Sequence, residues 1–164
     1  MKKRKKKKKT APSAGPGERT VATNRRARYE YHILERFEAG MVLQGTEVKS
    51  IREGNVSFQD AYASIDEGEV WLHALHISPY ECGSHWNHDP KRKRKLLLHV
   101  KEIRRLVTRV VEKGFTLIPL RIYFVRGKAK LELGLAKGKK FYDKRQDLRE
   151  KDMKREAQAA MRRM

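Results

Sequence analysis

Cys82-Gly83-Ser84-His85-Trp86-Asn87-His88-Asp89 is the stretch whose residue types most resemble a reactive centre. Cys82, His85 and His88 have the spacing of metal ligands, and Asp89 offers a fourth donor to a zinc ion. A four-ligand structural site generally draws on two separated pairs. No second pair stands in recognisable register, although His73 and His76 are available. A Cys82/His85 nucleophile pair lacks an orienting third group and an oxyanion pocket. The sequence has no Walker-type or dinucleotide glycine loop either. It therefore predicts a protein that is not an enzyme and uses no cofactor and no metal. A zinc-dependent hydrolase built on the Cys82 loop is the rival from a different class.

A second constellation suits binding. Asn24-Arg25-Arg26-Ala27-Arg28-Tyr29-Glu30-Tyr31 interleaves guanidiniums with aromatics. Arginine forks onto phosphates and stacks on bases, and tyrosine gives a stacking plane. The plain reading of the same residues is a polar lead into a strand, with tyrosines packed inward. Lys91-Arg92-Lys93-Arg94-Lys95 is also basic, and five consecutive cations read as a solvated loop unless they lie beside the first cluster. The whole chain of 164 residues carries 40 Lys+Arg against 20 Asp+Glu, a formal net charge of +20. Such a field attracts phosphate backbones, with affinity that falls as salt rises. No apolar run approaches the roughly 18 residues of a membrane span. A single cysteine excludes an internal disulfide and fits a reducing, cytoplasmic setting.

The elements that must position these residues follow from periodicity. Met1 to about Val21 is a lysine run followed by a Pro/Gly stretch, and reads as a disordered arm (1–21). Residues 22–137 look globular and mostly strand. Tyr29 to Leu34 is rich in strand formers, and Gly40 precedes a second apolar run. Thr46 is placed as the N-cap of a short helix ended by Gly54. Asp66-Glu67-Gly68 signals a hairpin. Val100, Ile103, Val107, Val110 and Val111 mark a helix closed by Gly114. Ile118 to Phe124 and Leu131 to Leu135 alternate as strands, joined through Arg126-Gly127-Lys128. The fold class is mainly β with flanking helices, an oligonucleotide-binding-type barrel. The basic tail, 138–164, lacks apolar residues to offset its ordering entropy, so it is expected to fray until a polyanionic partner makes it helical.

Several of these segments together resemble the SsrA-binding protein (small protein B) family, the partners of transfer-messenger RNA in bacterial ribosome rescue. They are Asn24 to Arg28, Phe37-Glu38-Ala39-Gly40, Gln44 to Arg52, Asp89-Pro90 through Leu98, and Gly134 to Lys140 with Asp143-Lys144-Arg145. They occur in order from about Ala22 to the C-terminus, and leave out only the N-terminal arm.

The resemblance implies a barrel that binds the tRNA-like domain of transfer-messenger RNA. With elongation factor Tu, the complex would enter the A site of a stalled ribosome. It places RNA contacts at Glu38, Leu97 and Lys130, with Asn24 supporting the same surface. Arg25, Arg26, Arg28, Tyr31 and Lys95 join them as candidate RNA-binding residues. Lys137, Lys139, Lys140, Tyr142, Asp143, Lys144 and Arg145 would read the decoding centre and the empty mRNA channel. A carboxylate on an RNA face is sensible as an acceptor for base or 2′-OH donors. The alternative function is a general structured-RNA chaperone or ribosome-assembly factor.

Overall fold

Antiparallel strands, two pairs of them joined by two-residue turns, build the body that the helices flank. The computed structural model describes residues 17–163, so the lysine run at 2–9 lies outside the described residues. The end of the predicted arm does not: Glu18–Thr23 forms β1, paired antiparallel with β8 (Thr116–Val125). Residues 18–21, assigned to the arm by composition, are therefore strand.

A six-residue helix, α1 (Arg25–Glu30), precedes β2 (Tyr31–Met41). This corrects the expected strand over Tyr29 and Glu30. Asn24 decides the matter by accepting from the Ala27 amide (3.1 Å) as an N-cap while its side-chain amide donates to Pro119 O (3.0 Å). Gly40 does not interrupt β2. A Cβ there would lie 3.3 Å from Leu97 Cβ, so the glycine lets β7 (Arg94–Leu97) lie close across β2. Helix α2 (Gly45–Arg52) starts at Gln44 and not at Thr46, because Glu47 reaches back to accept from the Gln44 amide (2.8 Å).

β3 (Val56–Ser57) pairs with β6 (His76–Ile77). β4 (Tyr62–Asp66) and β5 (Glu69–His73) form the expected hairpin. Its two loop residues, Glu67 and Gly68, both have positive φ (50° and 76°), as a type I′ turn requires. The same chemistry, Arg126 at 48° and Gly127 at 77°, joins β8 to β9 (Lys128–Gly138). A 3-10 turn (Glu81–Trp86) holds the Cys82 loop. Helix α3 (Val100–Lys113) ends at Gly114 as predicted and lays Leu106 into the core.

Strands β8, β4, β5, β7, β2 and β9 follow one another by antiparallel pairing, and β9 pairs back onto β8. The sheet is thus a closed barrel with β1 added to β8, and closure leaves the barrel strands no free edge. Register breaks in β1, β2 and β8 supply the bends that curling needs. Val70, Leu72, Leu96, Ile122, Leu131, Leu133 and Leu135 fill the interior. Each contributes about 1.5–3 kcal/mol of burial, enough together to hold the outer face in a fixed arrangement.

Helix α4 (Phe141–Arg163) follows β9. The tail is helical over this range, the conformation the sequence expects of it on a partner. Asp143 accepts from the Lys140 amide (3.3 Å) and starts it. Among the described residues, the core contains none of its side chains.

Candidate nucleic-acid interface

Glu38, Leu97 and Lys130 come together on the outside of the barrel through strand register alone. Gly40 stands opposite Leu97 on β7 and opposite Lys130 on β9, and Lys130 stands opposite Tyr123 on β8. Glu38, two residues before Gly40, points to the same face. The three residues line an open groove of about 700 Å³ that Met41, His99 and Lys128 also border.

Glu38 accepts from Tyr123 Oη at 2.6 Å and from Lys130 Nζ at 3.1 Å. The Tyr123 hydroxyl, followed by the Lys130 ammonium, holds the Glu38 carboxyl below its ordinary range. Its side chain is still 54% exposed, so lone pairs remain for an incoming N–H or 2′-OH. Leu97 is equally exposed and offers an apolar contact beside that acceptor. Behind them, Arg121 lies 4.4 Å over the Tyr123 ring and pairs with Glu132 and Glu18, and Glu132 also meets Arg36. Sequence reasoning missed Tyr123 and Arg121. Their signal was present, since the outward positions between Leu120, Ile122 and Phe124 are these two residues.

The other predicted RNA residues lie elsewhere. Asn24, Arg25, Arg26 and Tyr31 line a separate groove that shares no residue with the first. Arg25 and Arg28 are exposed. Arg26 is paired with Glu30 at 2.7 Å. Tyr31 packs partly against Ala27, Ile118, Leu120 and Ala136, so the inward-packing reading holds for it in part. Lys95 is on β7 and paired with Glu69.

Lys91 to Lys95 is a solvated loop only in part: Lys91 and Lys93 are exposed, while Arg94 and Lys95 belong to β7. Arg94 is fully buried and donates to Glu47 (2.9 Å), Leu75 O (2.7 Å) and Pro90 O (3.0 Å), and Arg92 grips the same carboxylate at 2.6 Å. Burial pushes the Glu47 carboxyl up, but hydrogen bonds from Arg92, the Gln44 amide and Arg94 outweigh it and leave it low. Burial also lowers Arg94, against the attraction of Glu47. These cations hold α2 to β7, and are unavailable to RNA.

In the tail, Lys137, Lys140, Tyr142 and Arg145 are exposed, while Lys144 sits over Phe141 at 5.6 Å. Lys139 is turned back into the protein. Its side chain is only 10% exposed and donates to Arg28 O (3.0 Å) and to Asp147. Asp147 has Lys151 four residues on along α4, yet meets Lys139. Asp143 is also 3.6 Å from His32 on β2.

The Cys82 loop does not gather ligands. No cluster of three His, Cys, Asp or Glu side chains suited to a metal occurs among the described residues, and the His85 side chain lies outside them. No helix of the described residues is long and apolar enough to cross a membrane.

A family model described as SmpB protein matches residues 21–163. The chain belongs to the SmpB family. The match runs from β1 to the end of α4, so the tail helix is as much part of the SmpB pattern as the barrel. An SsrA-binding protein of Carboxydothermus hydrogenoformans is 56% identical over 145 residues, covering 88% of this chain and 97% of that one. One from Geobacter sulfurreducens is 55% identical over 146 residues, covering 89% and 95%. A solved structure described as "tmRNA-SmpB: a journey to the center of the bacterial ribosome" is 58% identical, with a TM-score of 0.63 over 73% of this chain and 85% of that one.

Proposed function

We propose that this chain is an RNA-binding adaptor of ribosome rescue. It binds the tRNA-like domain of transfer-messenger RNA and brings it to the A site of stalled ribosomes for trans-translation. Support comes from its SmpB membership, from relatives that are SsrA-binding proteins, and from its likeness to a tmRNA-SmpB structure. The protein acts in the cytoplasm as an adaptor and not as an enzyme, and meets elongation factor Tu through the RNA complex.

The observation that carries the mechanism is the Glu38 groove. In a chain of net charge +20, phosphate attraction is plentiful and does not discriminate between RNAs. A fixed, ionised acceptor does discriminate, because it rewards only an RNA whose base or ribose donors meet it. Tyr123 and Lys130 hold Glu38 in place. Lys130 also offsets its charge, so that a neighbouring phosphate is not driven away. Leu97 covers the bond from water.

Barrel and tail divide the work: the barrel unit, through residue 137, holds the RNA, while the 138–164 tail reads the empty mRNA channel. Lys137, Lys140, Tyr142, Lys144 and Arg145 face the ribosome, and Lys139 with Asp143 sets the tail's starting direction. Truncation after Lys137 should leave RNA binding largely intact and abolish tagging on stalled ribosomes. Equal loss of both activities would contradict the division.

The direct test is competition at near-physiological salt. Labelled tRNA-like domain bound to the protein should resist excess ordinary tRNA, and Glu38→Ala should lose that resistance by about tenfold or more, since hydrogen bonds to charged groups contribute about 1.5–3 kcal/mol. Displacement that is equally easy for wild type and variant would instead favour a general RNA chaperone or assembly factor.

A further inference from the structure

The groove beside α1 is the larger of the two, at about 870 Å³. Arg25, Phe58, Gln59, Asp60 and Tyr62 are on its wall. Tyr62, at the start of β4, stacks on His73 of β5 with ring centroids 4.9 Å apart and planes 12° from parallel. Those two residues are direct cross-strand partners, which sets the stack by register.

His73 is itself fixed. Ser64 Oγ lies 2.8 Å from His73 Nε2 and 2.8 Å from Asp66 Oδ2. The hydroxyl has one proton, which goes to the carboxylate, so it accepts from Nε2–H. The imidazole is thus held flat beneath Tyr62. This arrangement of serine, histidine and aspartate is not a hydrolytic triad, because the aspartate takes the hydroxyl proton and does not touch the imidazole.

Tyr62 is 47% exposed. Its second face is an aromatic plane already held in position, and a planar group landing on it would extend an existing two-ring stack. On the same groove, Arg25 is exposed and has no carboxylate partner among the described residues, in contrast to Arg26 with Glu30. Gln59 and Asp60, also exposed, offer donors and acceptors, and the Asp60 charge turns a phosphate away from that end. A polarised site results, with a stacking plane, an edge of hydrogen-bonding groups and a free guanidinium. That is the chemistry of one nucleotide of single-stranded RNA.

We propose that the groove between α1 and β4 takes a single unpaired RNA nucleotide, with its base on the free face of Tyr62 and its phosphate on Arg25. The proposal rests on the reading of the chain as an RNA-binding adaptor, but it concerns a site distinct from the Glu38 groove. One molecule can then hold two separate RNA segments.

The test uses the full chain and a short unstructured RNA carrying one 2-aminopurine, whose fluorescence is quenched when the base stacks. Wild type and Tyr62→Phe should bind and quench. Tyr62→Ala should lose about five- to 150-fold in affinity, the usual span for one stacked base, together with quenching. Arg25→Ala should keep the quench and reduce the slope of log affinity against log salt by about 0.7, the value for one phosphate contact on a single strand. Unchanged affinity and quenching in Tyr62→Ala would overturn the proposal. Folding of each variant is checked by circular dichroism, and Arg25, being exposed, gives a second variant that keeps the barrel. Glu38→Ala separates this idea from the adaptor reading. If it loses discrimination among RNAs while Tyr62→Ala changes nothing, the adaptor stands and this groove is refuted. If Tyr62→Ala weakens the short RNA while wild type shows no preference for the tRNA-like domain, the groove stands and the adaptor reading fails.

Discussion

Two glutamates of this basic chain each face two donors from other strands or loops, and only burial separates their roles. Glu47 is 6% exposed by its side chain, pinned by Arg92 and Arg94 between α2 and β7. Glu38 is 54% exposed, held by Tyr123 and Lys130 on the face of β2 and β9. The first has its acceptor capacity taken up by the protein and serves the fold. The second keeps capacity to spare, and it is the one an RNA can reach. A carboxylate in a cationic protein is thus not a flaw in its charge design, but its meaning depends on what is left over after the internal bonds are made.

Breaking the buried member should have the largest effect. Glu47→Ala strands Arg94, which is 0% exposed, and should cost about 3–5 kcal/mol in denaturant unfolding, the usual penalty for removing one partner of a buried pair. A loss below about 1 kcal/mol, typical of surface pairs, would erase the contrast. Glu38→Ala should stay within about 1 kcal/mol of wild type in the same assay while losing RNA discrimination.

Acid should sharpen the comparison next. Both carboxyls lie below their ordinary value of 4.5 when folded. Their stabilisation is present above that value and is lost as pH falls through the lower, folded one. Unfolding followed against pH should therefore steepen below about 4.5 in wild type, and Glu47→Gln and Glu38→Gln should each lose part of that slope. A slope unchanged in both variants would mean that neither carboxyl is held low by its partners.

A smaller effect belongs to the hinge. Lys139→Ala removes the side chain that joins Arg28 O to Asp147, so helical signal from the tail should fall while the barrel's melting and RNA affinity hold. Coincident loss of all three would show that the tail helix and the barrel are one cooperative unit. The smallest is Tyr123→Phe, which removes one of the two contacts of Glu38, leaves no donor unpaired, and should cost less than the roughly 1 kcal/mol allowed for Glu38→Ala. Burial first, and then Glu38, raises the Tyr123 hydroxyl above its ordinary 10.0, so the native state keeps this proton as the unfolded chain loses it. Stability should accordingly be retained below pH 10 and decline above it as the hydroxyl titrates, and Tyr123→Phe should decline less.

Much of this molecule is determined locally. Alternation at Leu131, Leu133 and Leu135, the glycines at 68, 114 and 127, and the period of Val100 to Val111 fix strands, turns and the long helix by rules that need only neighbouring residues. The motifs singled out Glu38, Leu97 and Lys130 one by one, but their meeting depends on Gly40 lying opposite both β7 and β9. Long-range contacts decided the rest. Tyr29 and Glu30 have strand-forming neighbours, yet Asn24 caps a helix there because Pro119, far away in sequence, receives its amide. Five successive cations looked solvated until Glu47 and the carbonyls of Leu75 and Pro90 enclosed Arg94. Asp147 turns to Lys139 and not to Lys151. A sequence states which groups need partners; which partner arrives first within hydrogen-bonding reach is a property of the closed barrel.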